Sequence, residues 1–378
     1  MAFQKPQINK IVSDMKGLTI YLRALKKWGK TTLFRDVVLE KFHDPSRGML
    51  VGLGAETGYS LLDNLNCTHV ETWQELKELK NWLIEQKGKE HNIEMIAFDV
   101  VDELFPIAEK EIVRQYNIEN PSKQLSSIKA VYGGYNEGPT RVVQLVKDYF
   151  NDLKKAHFGV WAIAHTKYKN LKQKGDLDDG YQALTSTLTS TYESVFGDVF
   201  DCVLTGCIDR QIENETVKVG NKDKTIHHAT QEVRKLYFRG TTSIDAGCRF
   251  ATGAVPEYMV FDKPNMAKEF IEVIEDGMRL SRSDKVTQDE FKKIQENDAK
   301  ESEKKAEEYS KEHSQSGSVS RTNTVESKKL LTDIRKKYKN ATPQQKQDAK
   351  SVLINHNIHK LELTTPISVL KEMLNKFE

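Results

Sequence analysis

Gly29-Lys30-Thr31 is the part of this chain best suited to chemistry. It closes the stretch Ala24-Leu25-Lys26-Lys27-Trp28-Gly29-Lys30-Thr31-Thr32, which has the spacing of a phosphate-binding loop with Ala24 where the first glycine is expected. In such a loop the backbone N–H groups of the loop and the first helical turn point at phosphates, and the helix dipole favours anions. The Lys30 ammonium can then reach the β- and γ-phosphates of a nucleoside triphosphate, and the Thr31 hydroxyl can ligate Mg²⁺. The same chemistry needs polar groups at strand ends. Residues 93–99 are an apolar run ending in an acid, so Asp99 is expected to order the water shell of Mg²⁺, with Asp102 and Glu103 as competitors. Glu56 follows the apolar run 48–54 and could polarise an attacking water, although a surface turn glutamate looks the same in sequence. His165 stands at the carboxyl end of the run 158–166, where a polar side chain can touch a γ-phosphate and report its loss. Lys167, Tyr168, Lys169, Lys172 and Lys174 follow it; basic side chains with an aromatic suit single-stranded nucleic acid, and a solvated charged loop is the plainer alternative.

These residues need strands and helices to carry them. The apolar run 18–22 and the helical pattern 33–40 flank the loop, giving strand, turn and helix in the required order. Runs 48–54, 93–99, 158–166 and 199–206 predict further buried strands, and 69–71 a short one. Thr72 caps a predicted helix reaching about Lys87, in which Trp73, Leu76, Leu79, Trp82 and Leu83 recur at helical spacing. Residues 103–115 predict another, and Pro139 opens a third with Val142, Val146 and Phe150. Between them, 116–138 contains Pro121, Gly133, Gly134 and two tyrosines and reads as a long functional or mobile loop. Residues 232–239 alternate and predict a hairpin partner for 199–206, with 210–231 as its exposed loop. A strand at 256–261 and a helix at 267–279 close a first domain, 1–280. Residues 281–326 are charged and then Ser/Gly/Thr-rich, a solvated helix or disordered linker. Apolar residues return at helical spacing over 327–378, a small helical module. The predicted class is α/β, with a mainly parallel central sheet plus this C-terminal module.

Composition narrows the partners. A net charge of +2 over 378 residues means that any nucleic-acid surface is a local patch. No apolar run approaches the roughly 18 residues of a membrane span. The opening Met-Ala-Phe-Gln-Lys-Pro has no apolar signal core, and the four cysteines show no C-x-x-C spacing, so the expected location is a reducing cytoplasm without disulfides or zinc.

The order of motifs is Gly-Lys-Thr, a Glu after the second strand, a strand-end Asp, then a strand-end polar residue before a basic loop. This order resembles the RecA-type recombinase core, closest to phage-encoded RecA-like single-strand annealing ATPases. The resemblance covers roughly residues 15–280 and includes the Phe-Asp-Lys-Pro-Asn run at 261–265. It implies a RecA-like P-loop core with ATP and Mg²⁺ as cofactors. It assigns Lys30 and Thr31 to nucleotide and metal, Glu56 to water activation and Asp99 to metal support. His165 takes the place usually held by a γ-phosphate-sensing glutamine. Segments 116–138 and 167–190 correspond to the loops that face DNA. Arg249 is the one residue of Asp245-Ala246-Gly247-Cys248-Arg249 able to reach a neighbouring subunit's phosphate. The implied protein is a DNA-stimulated ATPase of phage recombination, in the host cytoplasm. It binds single-stranded DNA as a ring or filament of identical subunits, and its tail contacts a single-strand-binding or replication protein. The alternative is a nucleotide-dependent switch or assembly factor in phage replication that does not touch DNA.

Overall fold

The computed structural model describes residues 11–55, 62–134, 136–171, 180–219, 222–261, 263–356, 361, 365 and 367–377. The first strand, β1 (Thr19–Ala24), is buried at every position, as a strand covered on both faces must be. Ile20, Leu22 and Ala24 belong to one core. Tyr21 stacks on Phe196 with ring centroids 4.1 Å apart. Arg23 is buried beside it. Burial opposes its charge, but Glu193 (2.5 Å) and Asp245 (2.6 Å) more than restore it, and its Nε donates to Thr205. A buried cation is tolerable only when paired and hydrogen-bonded in this way.

After β1 come α1 (Lys30–Phe42), β2 (Gly48–Leu53), β3 (Asn66–Val70), α2 (Trp73–Gln86) and β4 (Met95–Asp99). Thr72 caps α2 in a reciprocal capping box with Glu75. Then follow α3 (Leu104–Glu119), α4 (Glu137–Lys155), β5 (Gly159–Leu171), β6 (Tyr181–Ser186) and α5 (Ser190–Val199). The long strands β7 (Cys202–Val219) and β8 (Lys222–Tyr237) come next, followed by β9 (Gly247–Cys248), β10 (Tyr258–Val260) and α6 (Met266–Leu280). The sheet order is β10-β8-β7-β1-β5-β4-β2-β3, with β6 beside β5 and β9 beside β7. Pairings from β7 through β3 are parallel; the β8, β10, β6 and β9 pairings are antiparallel. The α/β class with a mainly parallel sheet is what the sequence predicts.

Four segments differ from expectation. Residues 210–219 and 222–231 are strand: β7 and β8 stay paired out to Val219 and Lys222, with one irregularity at Gln211/Ile212. Residues 167–171 and 181–186 are a two-stranded ribbon continuing β5, where a loop was expected, and α5 follows it. In both places a polar strand satisfies its backbone groups through its partner, without the apolar alternation that marks a core strand. Residues 288–340 form one helix, α7 (Gln288–Asn340), including the Ser-rich stretch expected to be a linker. The loop expected at 116–138 is shorter, because α3 runs to Glu119 and α4 starts at Glu137; residues 120–134 are largely irregular, and Asn117 holds them by bonding both N and O of Leu125.

The chain divides into two units, Met1–Glu307 and Glu308–Glu378. The second, with the end of α7, α8 (Pro343–Asn355) and α9 (Ile367–Asn375), has its own core of Leu331, Ile334, Ala349, Val352, Leu370 and Met373. Among the described residues, no helix is long and apolar enough to cross a membrane.

Candidate functional site

β1 lies near the middle of the mixed sheet, between β5 and β7, and β5 separates it from β4. The register puts Ala24 opposite His165 on one side and Gly206 on the other, and Asp99 opposite Ile163. Parallel strands thus bring three remote segments to one carboxyl edge, where α/β folds bind ligands. Ala24 is an ordinary extended residue at the end of its strand. The left-handed positions of the loop are Lys27 (φ 61°) and Gly29 (φ 109°). Gly29 is indispensable, because a Cβ there would also lie 3.1 Å from the Phe261 ring.

α1 begins directly after Gly29, so its first N–H groups face the loop. Lys30 is buried; its Nζ donates to the carbonyls of Ala24 and Leu25, each at 3.1 Å, and lies 3.3 Å from His165 Nδ1. The Thr31 hydroxyl donates to Asp99 Oδ2 at 2.7 Å, and Asp99 is itself buried. A concentrated ammonium, a glycine-framed loop and a hydroxyl–carboxylate pair suit a triphosphate and a hard, oxygen-loving cation, so Mg²⁺–ATP fits the groups present. A cleft of about 450 Å³ runs alongside α1, lined by Thr32, Asp36, Phe261 and Asn265 among others.

Of the three acids near β4, only Asp99 receives the Thr31 hydrogen bond described above. Asp102 accepts the His165 backbone N–H at 3.0 Å and the Thr187 hydroxyl. Glu103 lies against Gly54, at the carboxyl end of β2; a Cβ on that glycine would sit 2.9 Å from its Oε2. Glu56 lies outside the described residues, as do Lys172 and Lys174. Lys167, Tyr168 and Lys169 are exposed on the β5–β6 ribbon rather than in a loop, and Lys167 Nζ donates to Thr187 O at 3.3 Å.

Arg249 is not brought to the loop within this chain. It follows β9, which pairs with Cys202 at the amino end of β7, the end that lies opposite Ile20 rather than Ala24. Its guanidinium donates to Asp198 O at 2.6 Å and lies 3.6 Å from Asp201.

One residue of the site, Arg234, escaped the sequence reading, and another, Trp28, was expected to face nucleotide with the rest of the loop. Trp28 counts only as a variable position of the loop motif, yet it is fully buried. Its Nε1 donates to Cys207 O at 3.1 Å, its ring packs on Phe261 at 4.0 Å, and Gly206 leaves room for it. Arg234 on β8 donates to Trp28 O at 3.0 Å. The phosphate loop is therefore fastened to the base of the β7–β8 hairpin. An apolar indole inside a basic loop was the one available signal.

The profile of the AAA domain family matches residues 16–250, more than half of the chain. No curated protein matches. Since the loop, α1, the Asp99 strand and the His165 strand all fall inside that span, the chain belongs to the AAA domain family, and its α/β core is that of a P-loop NTPase.

Proposed function

We propose that this protein is a phage recombination ATPase that binds single-stranded DNA as a homo-oligomer and promotes annealing or strand exchange. The observation that carries the reading is the course of β5. His165, beside Lys30, is separated by one residue from Lys167-Tyr168-Lys169 on the exposed ribbon. A change at the phosphate end of the site therefore has a backbone path of two residues to a basic, aromatic surface. Asp102 grips both strands of the ribbon at its root, through His165 N and the Thr187 hydroxyl.

In this reading Mg²⁺–ATP supplies the phosphoryl group whose loss is the signal. Lys30 holds the phosphates, while Thr31 and Asp99 orient the metal's oxygen shell. Glu56 accepts the proton of the attacking water. His165 differs in its contacts before and after the γ-phosphate leaves, and that difference biases the ribbon between strong and weak DNA binding. Arg249, with its side chain 53% exposed, is offered to a neighbouring subunit.

The second reading, a nucleotide switch in replication without direct DNA contact, draws on the separate core of the C-terminal unit, which suits a module that recruits another protein. Steady-state ATP hydrolysis with and without oligothymidylate separates the two. Stimulation by DNA, lost in Lys167→Gln/Lys169→Gln, is expected for the recombinase. Hydrolysis indifferent to DNA refutes it and favours the switch.

A further inference from the structure

Charge is distributed unevenly along the chain. Residues 327–378 hold eleven Lys and Arg against five Asp and Glu, a net +6; since the whole chain is +2, the remainder is −4. The cations are also ordered in space. At 100° per residue, Lys329, Arg335, Lys336 and Lys339 fall within about 120° of arc on α7. All four are exposed, while Leu331 and Ile334 on the opposite side form the core. Lys350 on α8 and Lys371 on α9 are exposed as well.

The basic face borders aromatic rings. Tyr338 and Phe377 meet edge to face, with centroids 6.1 Å apart, and Lys346 Nζ lies 5.6 Å from the Tyr338 centroid. Both rings are only partly buried. A cleft of about 570 Å³ opens beside Phe377, with Lys336, Lys337, Asn340 and Gln345 on its walls and Asp333 as its one acid.

We infer that this unit is a second contact for single-stranded nucleic acid, with the α7 cations on the phosphates and the Tyr338–Phe377 edge beside the bases. Two features favour this partner over an acidic protein surface. The cations follow one helix face, as a linear polyanion requires. The neighbouring aromatic rings offer faces or edges to bases, a combination that binds single strands without regard to sequence. The excess is local and opposite in sign to the rest of the chain, so it concentrates a polyanion on this unit. The choice of a single strand as the polyanion rests on the function proposed above.

The test uses the full-length chain carrying Arg335→Gln/Lys336→Gln/Lys339→Gln. Binding of labelled oligothymidylate is measured by anisotropy without nucleotide over a range of salt. Three lost phosphate contacts should reduce the log–log salt slope by about 2, at roughly 0.7 per contact on a single strand. Basal ATP hydrolysis should be unchanged, which also reports that the first unit is folded. Wild-type slope and affinity in the triple variant would overturn the inference and leave the unit to a protein partner.

Lys167→Gln/Lys169→Gln, measured in parallel, separates this failure from failure of the function. If it abolishes DNA-stimulated hydrolysis while the triple variant binds as wild type, the recombinase reading stands and the second contact falls. If the triple variant loses slope while DNA leaves wild-type hydrolysis unchanged, the second contact stands and the recombinase reading falls.

Discussion

Gly206→Ala should weaken ATP binding although residue 206 touches no phosphate. An added Cβ would stand 2.5 Å from Trp28 Cε2 and 2.8 Å from Cδ2 and Cζ2. The indole cannot easily retreat, because it is fully buried, packed on Phe261 and tied to Cys207 O. Overpacking of this kind costs about 1–3 kcal/mol. If the ring escapes by breaking its hydrogen bond, roughly 1 kcal/mol is added. Trp28 is adjacent to Gly29, so the escape displaces the loop. If about 2 kcal/mol must be restored when the loop closes on phosphates, ATP affinity falls roughly 30-fold. The assay is titration with a fluorescent ATP analogue, with thermal unfolding alongside. Gly197→Ala is the control: nothing lies within 4 Å of a Cβ there, and it sits inside α5, where alanine is favoured over glycine by about 1 kcal/mol. Wild-type ATP affinity and melting temperature in Gly206→Ala would refute the idea that Trp28 braces the loop against the hairpin.

Lys30→Ala should abolish hydrolysis, measured by phosphate release; normal turnover would remove the loop assignment. Glu56→Gln should keep ATP binding while slowing turnover about 10²-fold or more. If Glu103→Gln gives that phenotype and Glu56→Gln does not, the base is the carboxylate against Gly54. The acid limb of stability should depend on Glu111. Its burial raises the carboxyl pKa, but hydrogen bonds from Arg114 and Gln115 and the charge of Lys77 overcome this and hold it down at about 2, from 4.5. A depressed pKa stabilises the fold above 4.5, and that contribution is lost as pH falls from 4.5 through about 2. Urea unfolding of Glu111→Gln should therefore show a shallower loss over that window, and an unchanged acid limb would contradict it.

The site was legible where one segment carries its own instruction. Gly29 needs a left-handed φ, Thr72 caps the helix that follows it, and the run ending in Asp99 is apolar because parallel strands are buried on both faces. The ribbon formed by residues 166–171 and 181–186 was not legible, because largely polar strands paired outside the central sheet lack the alternation that marks a core strand. The same holds for the outer part of β7 and β8.

The sequence by itself determined the chemistry on offer: a phosphate loop, a strand-end acid, a strand-end histidine and a basic, aromatic run after it. Tertiary structure decided which groups meet. Lys30 and His165 are 135 residues apart, Trp28 and Cys207 are 179 apart, and Trp28 and Arg234 are 206 apart. No local periodicity encodes such distances. They follow from strand order and register, which place β5 and β7 on either side of β1. The fold thereby converted a variable loop position into a structural anchor and set Asp102 to hold His165 and Thr187. It also placed Arg249 by the amino end of β7, at the sheet edge opposite the one that carries the loop.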